Sequence, residues 1–104
     1  MRRPKTTNEY IDLIEQAIFE LGELRAADEW EQEEGGNTLG FIDPLTAQLR
    51  QLLEQLQAGT HRFGEGDLVL INIVRVHARQ IPFKSLLDLI NQTHRLGLEN
   101  GTPT

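Results

Sequence analysis

The sequence predicts an all-α fold of about four helices, arranged in a compact bundle that closes with a helical hairpin. Apolar residues recur at steps of three and four along most of the chain, which is the period of an amphipathic helix. Stretches containing glycine or proline separate these periodic segments. Only residues 68–78 resemble a strand, and no second segment supplies a partner strand within the chain.

The length and composition of the chain predict one soluble domain. A chain of 104 residues is long enough to bury one core, so we expect a single domain over 1–104, with mobile polar ends at 1–5 and 99–104. The basic N-terminus lacks the apolar stretch of a signal peptide, and the longest apolar run, Leu68–Ile71, is too short to span a bilayer. The absence of cysteine excludes disulfides and suits the cytoplasm.

Charge is distributed unevenly along the chain, whose formal net charge is -6. Residues 1–59 hold five Lys/Arg against twelve Asp/Glu, whereas residues 60–104 hold five against four, so the two parts carry -7 and +1. Such asymmetry either guides an oriented self-association or simply keeps the protein in solution.

The first helix is predicted over 7–33. Thr6 lies three residues before Glu9, as in a capping box, and a stripe of apolar residues follows at helical spacing. The last turns are acidic, which is unfavourable at the negative end of the helix dipole and predicts fraying. Trp30 lies among these acids and either packs over the end of the bundle or stands exposed as an anchor for a partner.

The second helix is predicted over 43–58, after a glycine-rich loop at 35–41. The loop lacks the Lys and Ser/Thr of a phosphate-binding P-loop, so it is interpreted as a connection. Asp43 is placed as the N-cap and Pro44 as the first helical residue. Leucines follow at steps of four, three and four, and Gly59 is a suitable C-terminal stop.

The third helix is predicted over 67–79, with Asp67 as N-cap. This is the segment for which the sequence also allows a strand. As a helix it places Asn72, Arg75 and Arg79 on one narrow polar stripe of an otherwise apolar, central helix. As a strand, residues 68–78 would need a partner from a second copy, which gives an α+β fold paired across a dimer. The lack of a second strand favours the helix.

The last helix is predicted over 82–96. Pro82 opens it, Gly97 ends it, and Leu98 is available to fold back onto its final turn. The short connection to the preceding helix predicts a tight hairpin.

The chain shows no arrangement of residues typical of a catalytic, metal or cofactor site. In the predicted hairpin, His77 and His94 lie about 15 Å apart along antiparallel axes, too far to share one ion. No serine or threonine has an evident base beside it. The sequence therefore predicts a protein that is not an enzyme and that holds no metal or cofactor.

The predicted function is that of a small helical interaction or adaptor module whose partner is a protein or a second copy of itself. The stripe of Asn72, Arg75 and Arg79 suits contact with the acidic first helix of another copy, with Trp30 as a further candidate contact. In the alternative interpretation, the arginines pair with Glu residues of their own chain or simply face water.

A second function class rests on the predicted hairpin over 67–96, which resembles the helix-turn-helix of nucleic-acid-binding regulators. Polar side chains on the outward face of its last helix are able to touch phosphates or base edges. The acidic isoelectric point, near 4.9, makes nucleic acid an unlikely partner because phosphate contacts supply much of the affinity in such complexes. A membrane partner is not expected.

Overall fold

The structure, a computed structural model, describes residues 2–31, 40–64 and 66–99. The described chain forms four α-helices, which are α1 (Thr7–Glu31), α2 (Ile42–Ala58), α3 (Leu70–Val76) and α4 (Lys84–Leu96), with a short 3-10 helix at Ala78–Gln80. The all-α prediction is confirmed. Residues 70–76 are helical and the described ranges contain no strand, so the α+β alternative is wrong.

Helix α1 begins as the capping box predicts. The hydroxyl oxygen of Thr6 accepts a hydrogen bond from the backbone N–H of Glu9 at 3.1 Å. The Glu9 carboxylate reaches back to accept one from the N–H of Lys5 at 2.8 Å. These bonds satisfy donors that would otherwise be unpaired at the start of the helix. The helix is described to Glu31, so the predicted end at 33 lies outside the described residues.

A single core joins the four helices. Helix α1 packs against α2 and α4, and α3 packs against α2 and α4. The side chains with no exposed surface come from all four α-helices and include Tyr10, Ile14, Ala17, Leu21, Leu45, Leu49, Val74, Leu87 and Ile90. Burial of these apolar surfaces is the main force that holds the helices together.

The start of α2 differs by one residue from the prediction. Phe41 occupies the N-cap position and makes no side-chain cap, so Asp43 and Pro44 lie within the first turn. Proline is tolerated there because the first N–H groups of a helix have no intrahelical partner. The Asp43 carboxylate instead pairs with Arg25 of α1. Of the predicted loop over 35–41, residues 35–39 lie outside the described residues, and Phe41 is buried.

Helix α2 ends at Gly59 as predicted. Gly59 has a φ of 75°, in the left-handed region, and its N–H bonds back to the last turn. The N–H of Thr60 donates to the carbonyl of Gln55 at 2.9 Å, which completes a Schellman-like stop.

We expect two glycine-to-alanine changes to have opposite effects on stability. A Cβ atom built at Gly22 or at Gly59 meets nothing within 4 Å, so the two positions differ in backbone conformation alone. Gly22→Ala should raise the free energy of unfolding by about 0.5–1 kcal/mol, because glycine is a poor residue inside a helix. Gly59→Ala should lower it by about 1–2 kcal/mol, because φ is positive there. Urea denaturation measures both, and equal signs would contradict the argument.

Helix α3 is shorter than the predicted 67–79. It begins at Leu70 after an N-cap at Val69, and His77 breaks it with φ -110° and ψ 24°. Four of its seven residues are β-branched, which lowers helix propensity. Ile81 is extended, with φ -113° and ψ 100°, because a proline disfavours the helical region for the residue before it. Asp67 does not cap the helix.

Helix α4 begins at Lys84, two residues after the predicted start at Pro82. Gly97, with a φ of 87°, ends it, and its N–H donates to the carbonyl of Thr93 at 2.7 Å. Leu98 packs against the core, as the prediction of a folded-back residue requires. The predicted C-terminal hairpin is therefore present, with α3 and the 3-10 helix as its first arm.

The two ends of the described chain meet. The N–H of Glu99 donates to the carbonyl of Pro4 at 2.7 Å, and the guanidinium of Arg3 donates to the carbonyl of Gly97 at 3.1 Å. These bonds involve residues from both segments that the sequence predicts to be mobile. Residues 1 and 100–104 lie outside the described residues.

Candidate interaction surface

The predicted polar stripe is exposed but not continuous. Asn72 and Arg75 lie on α3, whereas Arg79 lies in the 3-10 helix after the break at His77. All three side chains are exposed to solvent. The stripe predicted from an unbroken helix over 67–79 is therefore divided between two elements.

Arg75 has a partner in its own chain. Its guanidinium donates to the Asp67 carboxylate at 3.3 Å, a partner that the sequence did not predict. Arg79 makes no ion pair within the described ranges. Trp30 lies in the last turns of α1, and its side chain lies outside the described part of the structure.

Two valines dominate the outer face of α3. Val69 is 66% exposed and Val76 is 77% exposed. They are seven residues apart, so they lie nearly in line along the helix axis, on the side opposite the buried Leu70 and Val74. The sequence prediction of a central, mostly buried helix was wrong in this respect. Together, Val69, Asn72, Val76, Arg75 and Arg79 form what we call the α3 face.

A shallow pocket of about 410 Å³ lies at the C-terminal end of the α3 face, lined by residues 75–80. One lining side chain, the His77 ring, stacks on the buried Phe41, with ring centroids 4.5 Å apart and an interplanar angle of 17°. The His77 Nδ1 atom also lies 3.0 Å from the side-chain oxygen of Gln80. This packing fixes the direction in which the chain leaves α3, and with it the position of Arg79.

A polar cluster holds the N-terminal end of α3 against α4. The buried Asn91 side chain accepts a hydrogen bond from the N–H of Leu68 at 2.7 Å and donates to Asp67 at 3.0 Å. Arg95 lies 3.5 Å from the same carboxylate. The Asn91 hydrogen bond is the largest cause that holds the pKa of Asp67 below its ordinary value. The hydrogen bond from Arg75 and the positive charges of Arg75 and Arg95 lower this pKa further. Sequence reasoning missed this cluster.

Of the outward-facing α4 residues that a helix-turn-helix would use to read DNA, one is buried and the others reach solvent. Asn91 is 7% exposed and bonded to Leu68 and Asp67, which lie just before α3. Lys84 pairs with Asp88 at 2.6 Å, and Arg95 lies beside Asp67. Gln92 is exposed. The nucleic-acid alternative therefore stays a prediction, with Asn91 removed from the side chains that could contact DNA.

A histidine pair, also missed by sequence reasoning, joins α4 to the chain that follows α2. His61 follows α2, and its Nε2 atom lies 3.1 Å from the Nδ1 atom of His94. Tyr10 and Phe63 pack beside these rings, with the Tyr10 hydroxyl donating to the carbonyl of Ile90 at 2.9 Å. Burial raises the pKa of the Tyr10 phenol. The path of the loop after α2 carries no periodic signal, so the sequence does not show that His61 meets His94.

No cluster of three or more potential metal ligands is found in the described ranges. Among the helices that the structure describes, none is long and apolar enough to cross a membrane. Comparison of the chain with models of protein families, with curated proteins and with solved structures found no match. Any function of the α3 face must therefore be inferred from its own residues.

Proposed function

We propose that this protein is a small interaction module, without catalytic activity of its own, that self-associates through the α3 face. The observation that carries the proposal is the position of Val69 and Val76, two apolar side chains that are mostly exposed on the side of α3 opposite the core. Isolated exposed valines are ordinary, but these two lie on one side of α3 beside exposed polar groups, so a partner can contact both. The absence of cysteine is consistent with a cytoplasmic location for this module.

The valines alone are too small to hold two copies together. Burying both side chains contributes about 3 kcal/mol. Association of two proteins costs about 4–15 kcal/mol in lost translational and rotational freedom. The α3 face must therefore bind through further contacts, and its arginines are the nearest groups that can supply them.

The arginines of the α3 face are free to turn toward a partner. The pair between Arg75 and Asp67 is exposed on both sides, and exposed ion pairs contribute little to stability. Exchanging that partner for a carboxylate of a second copy therefore has a small cost. Arg79 makes no ion pair within the described ranges, so binding a partner breaks none there. Complementary charges around an apolar centre set the orientation and the rate of association.

Val76→Asp should weaken self-association, because it places a charge at the centre of the buried contact. Sedimentation equilibrium from micromolar to millimolar concentration measures the effect. Leu96→Asp is the matched control, since Leu96 is also the last residue of its helix and is 60% exposed. That control should assemble like the unaltered protein. An unaltered protein that stays monomeric over the whole range would overturn the proposal, as would equal assembly of the Val76→Asp variant.

A further inference from the structure

We infer that the α3 face of one copy binds the outer face of α1 in a second copy, centred on Phe19. This inference rests on the proposed self-association and names the surface that the α3 face recognises. The α1 face consists of Phe19 with the carboxylates of Asp12, Glu15 and Glu23.

Phe19 occupies the position on α1 that is farthest from the core. It follows the fully buried Tyr10 by nine residues, and nine steps of 100° place the two side chains on opposite sides of the helix. Phe19 is accordingly 60% exposed. Aromatic side chains are enriched at interfaces because they bury a large apolar area with few rotatable bonds.

Three carboxylates surround Phe19 on the same side of α1. Glu15 and Glu23 lie one turn before and one turn after it, and Asp12 lies two turns before it. All three are exposed, and none forms an ion pair within the part of the chain that the structure describes. The α1 face is thus an apolar centre within a negative border.

The α3 face has the complementary arrangement and a matching size. Val69 and Val76 lie about 10 Å apart along the axis of α3, at 1.5 Å per residue. The gap between them, above Asn72, accepts one aromatic ring. Glu15 and Glu23 each lie about 6 Å along the axis from Phe19, so one of them reaches the end of α3 that carries Arg75 and Arg79. Apolar groups then meet apolar groups, and carboxylates meet guanidinium groups.

Exchange of charges between the two faces tests this inference. One variant carries Arg75→Glu and Arg79→Glu, so both of its faces are acidic. The other carries Glu15→Arg and Glu23→Arg, so both of its faces are basic. Each variant alone should associate about tenfold more weakly than the unaltered protein or worse, whereas an equal mixture should recover the affinity. The mixture restores every α1–α3 contact, whether the assembly closes as a pair or extends.

Sedimentation equilibrium of each variant and of the mixture gives the result, with circular dichroism to check that each variant is folded. Phe19→Ala is a third variant that changes no charge and should weaken association about tenfold through lost apolar burial. If Val76→Asp prevents assembly but the α1 variants assemble normally, the α3 face is an interface and the α1 assignment is wrong. If no variant changes assembly, both the inference and the proposed function fail. A mixture that assembles no better than its components also overturns the inference.

Discussion

Replacement of Tyr10 with alanine is expected to lower the free energy of unfolding by about 3–5 kcal/mol. Tyr10 has no exposed surface, and its ring packs against Phe63 at a centroid distance of 5.6 Å. Removing the ring deletes its apolar contacts and leaves a cavity that close-packed neighbours fill only in part. Domains of this size have a total stability of about 5–15 kcal/mol, so this loss is a large fraction of the total.

Two further variants separate the causes of this effect. Tyr10→Phe keeps the ring and removes only the hydroxyl that donates to Ile90, so it should cost about 1 kcal/mol. Phe19→Ala removes an aromatic ring from the exposed face of the same helix and should change stability by no more than about 0.5 kcal/mol. Urea midpoints measure all three variants, in protein dilute enough to be monomeric so that association does not contribute. A loss for Tyr10→Ala no larger than that for Phe19→Ala would refute the assignment of Tyr10 to the core.

The elements that the sequence predicted well are those whose signals are local. The capping bond of Thr6 and the left-handed stop at Gly59 depend on residues within one turn, so their chemistry is visible in the sequence. The buried face of α2 follows directly from the spacing of its leucines. In a long helix the repeated apolar spacing identifies the helix even where its end is predicted a residue away. The start of α2 at Ile42, one residue before the predicted start, is an example.

The candidate surface was harder to predict because it depends on contacts between distant residues. Asp67 suits an N-cap by local rules, but Asn91, 24 residues later, binds it instead. Arg75 likewise pairs with Asp67 of its own chain, through an exposed contact. Val69 and Val76 belong to an apolar segment, and periodicity alone does not show which apolar face the other helices cover. The sequence therefore predicted the polar residues of the candidate surface and missed its exposed valines.

Asn91→Ala is expected to lower the free energy of unfolding by about 2 kcal/mol near neutral pH. Asn91 is 7% exposed and bridges the N–H of Leu68 and the carboxylate of Asp67. Its loss leaves the Leu68 donor without this partner at the point where the chain enters α3. Gln92→Ala, at the exposed neighbouring position on α4, is the control and should change stability by no more than about 0.5 kcal/mol.

The pH dependence of Asn91→Ala identifies how much of its effect acts through Asp67. Because folding lowers the pKa of Asp67, its carboxylate contributes stability that is fully present above the ordinary pKa of about 4. That contribution is lost as the pH falls through the lowered value in the folded state. The Asn91 hydrogen bond is the largest cause of the lowering, so the variant should lose less stability on acidification than the unaltered protein does. Urea midpoints of the variant and of the unaltered protein should therefore be compared at about pH 6 and about pH 2.5. The difference in stability between the two proteins should be smaller in acid but should not vanish, because the Leu68 bond does not titrate. A difference that is the same at both pH values would show that Asn91 acts on the backbone of Leu68 alone.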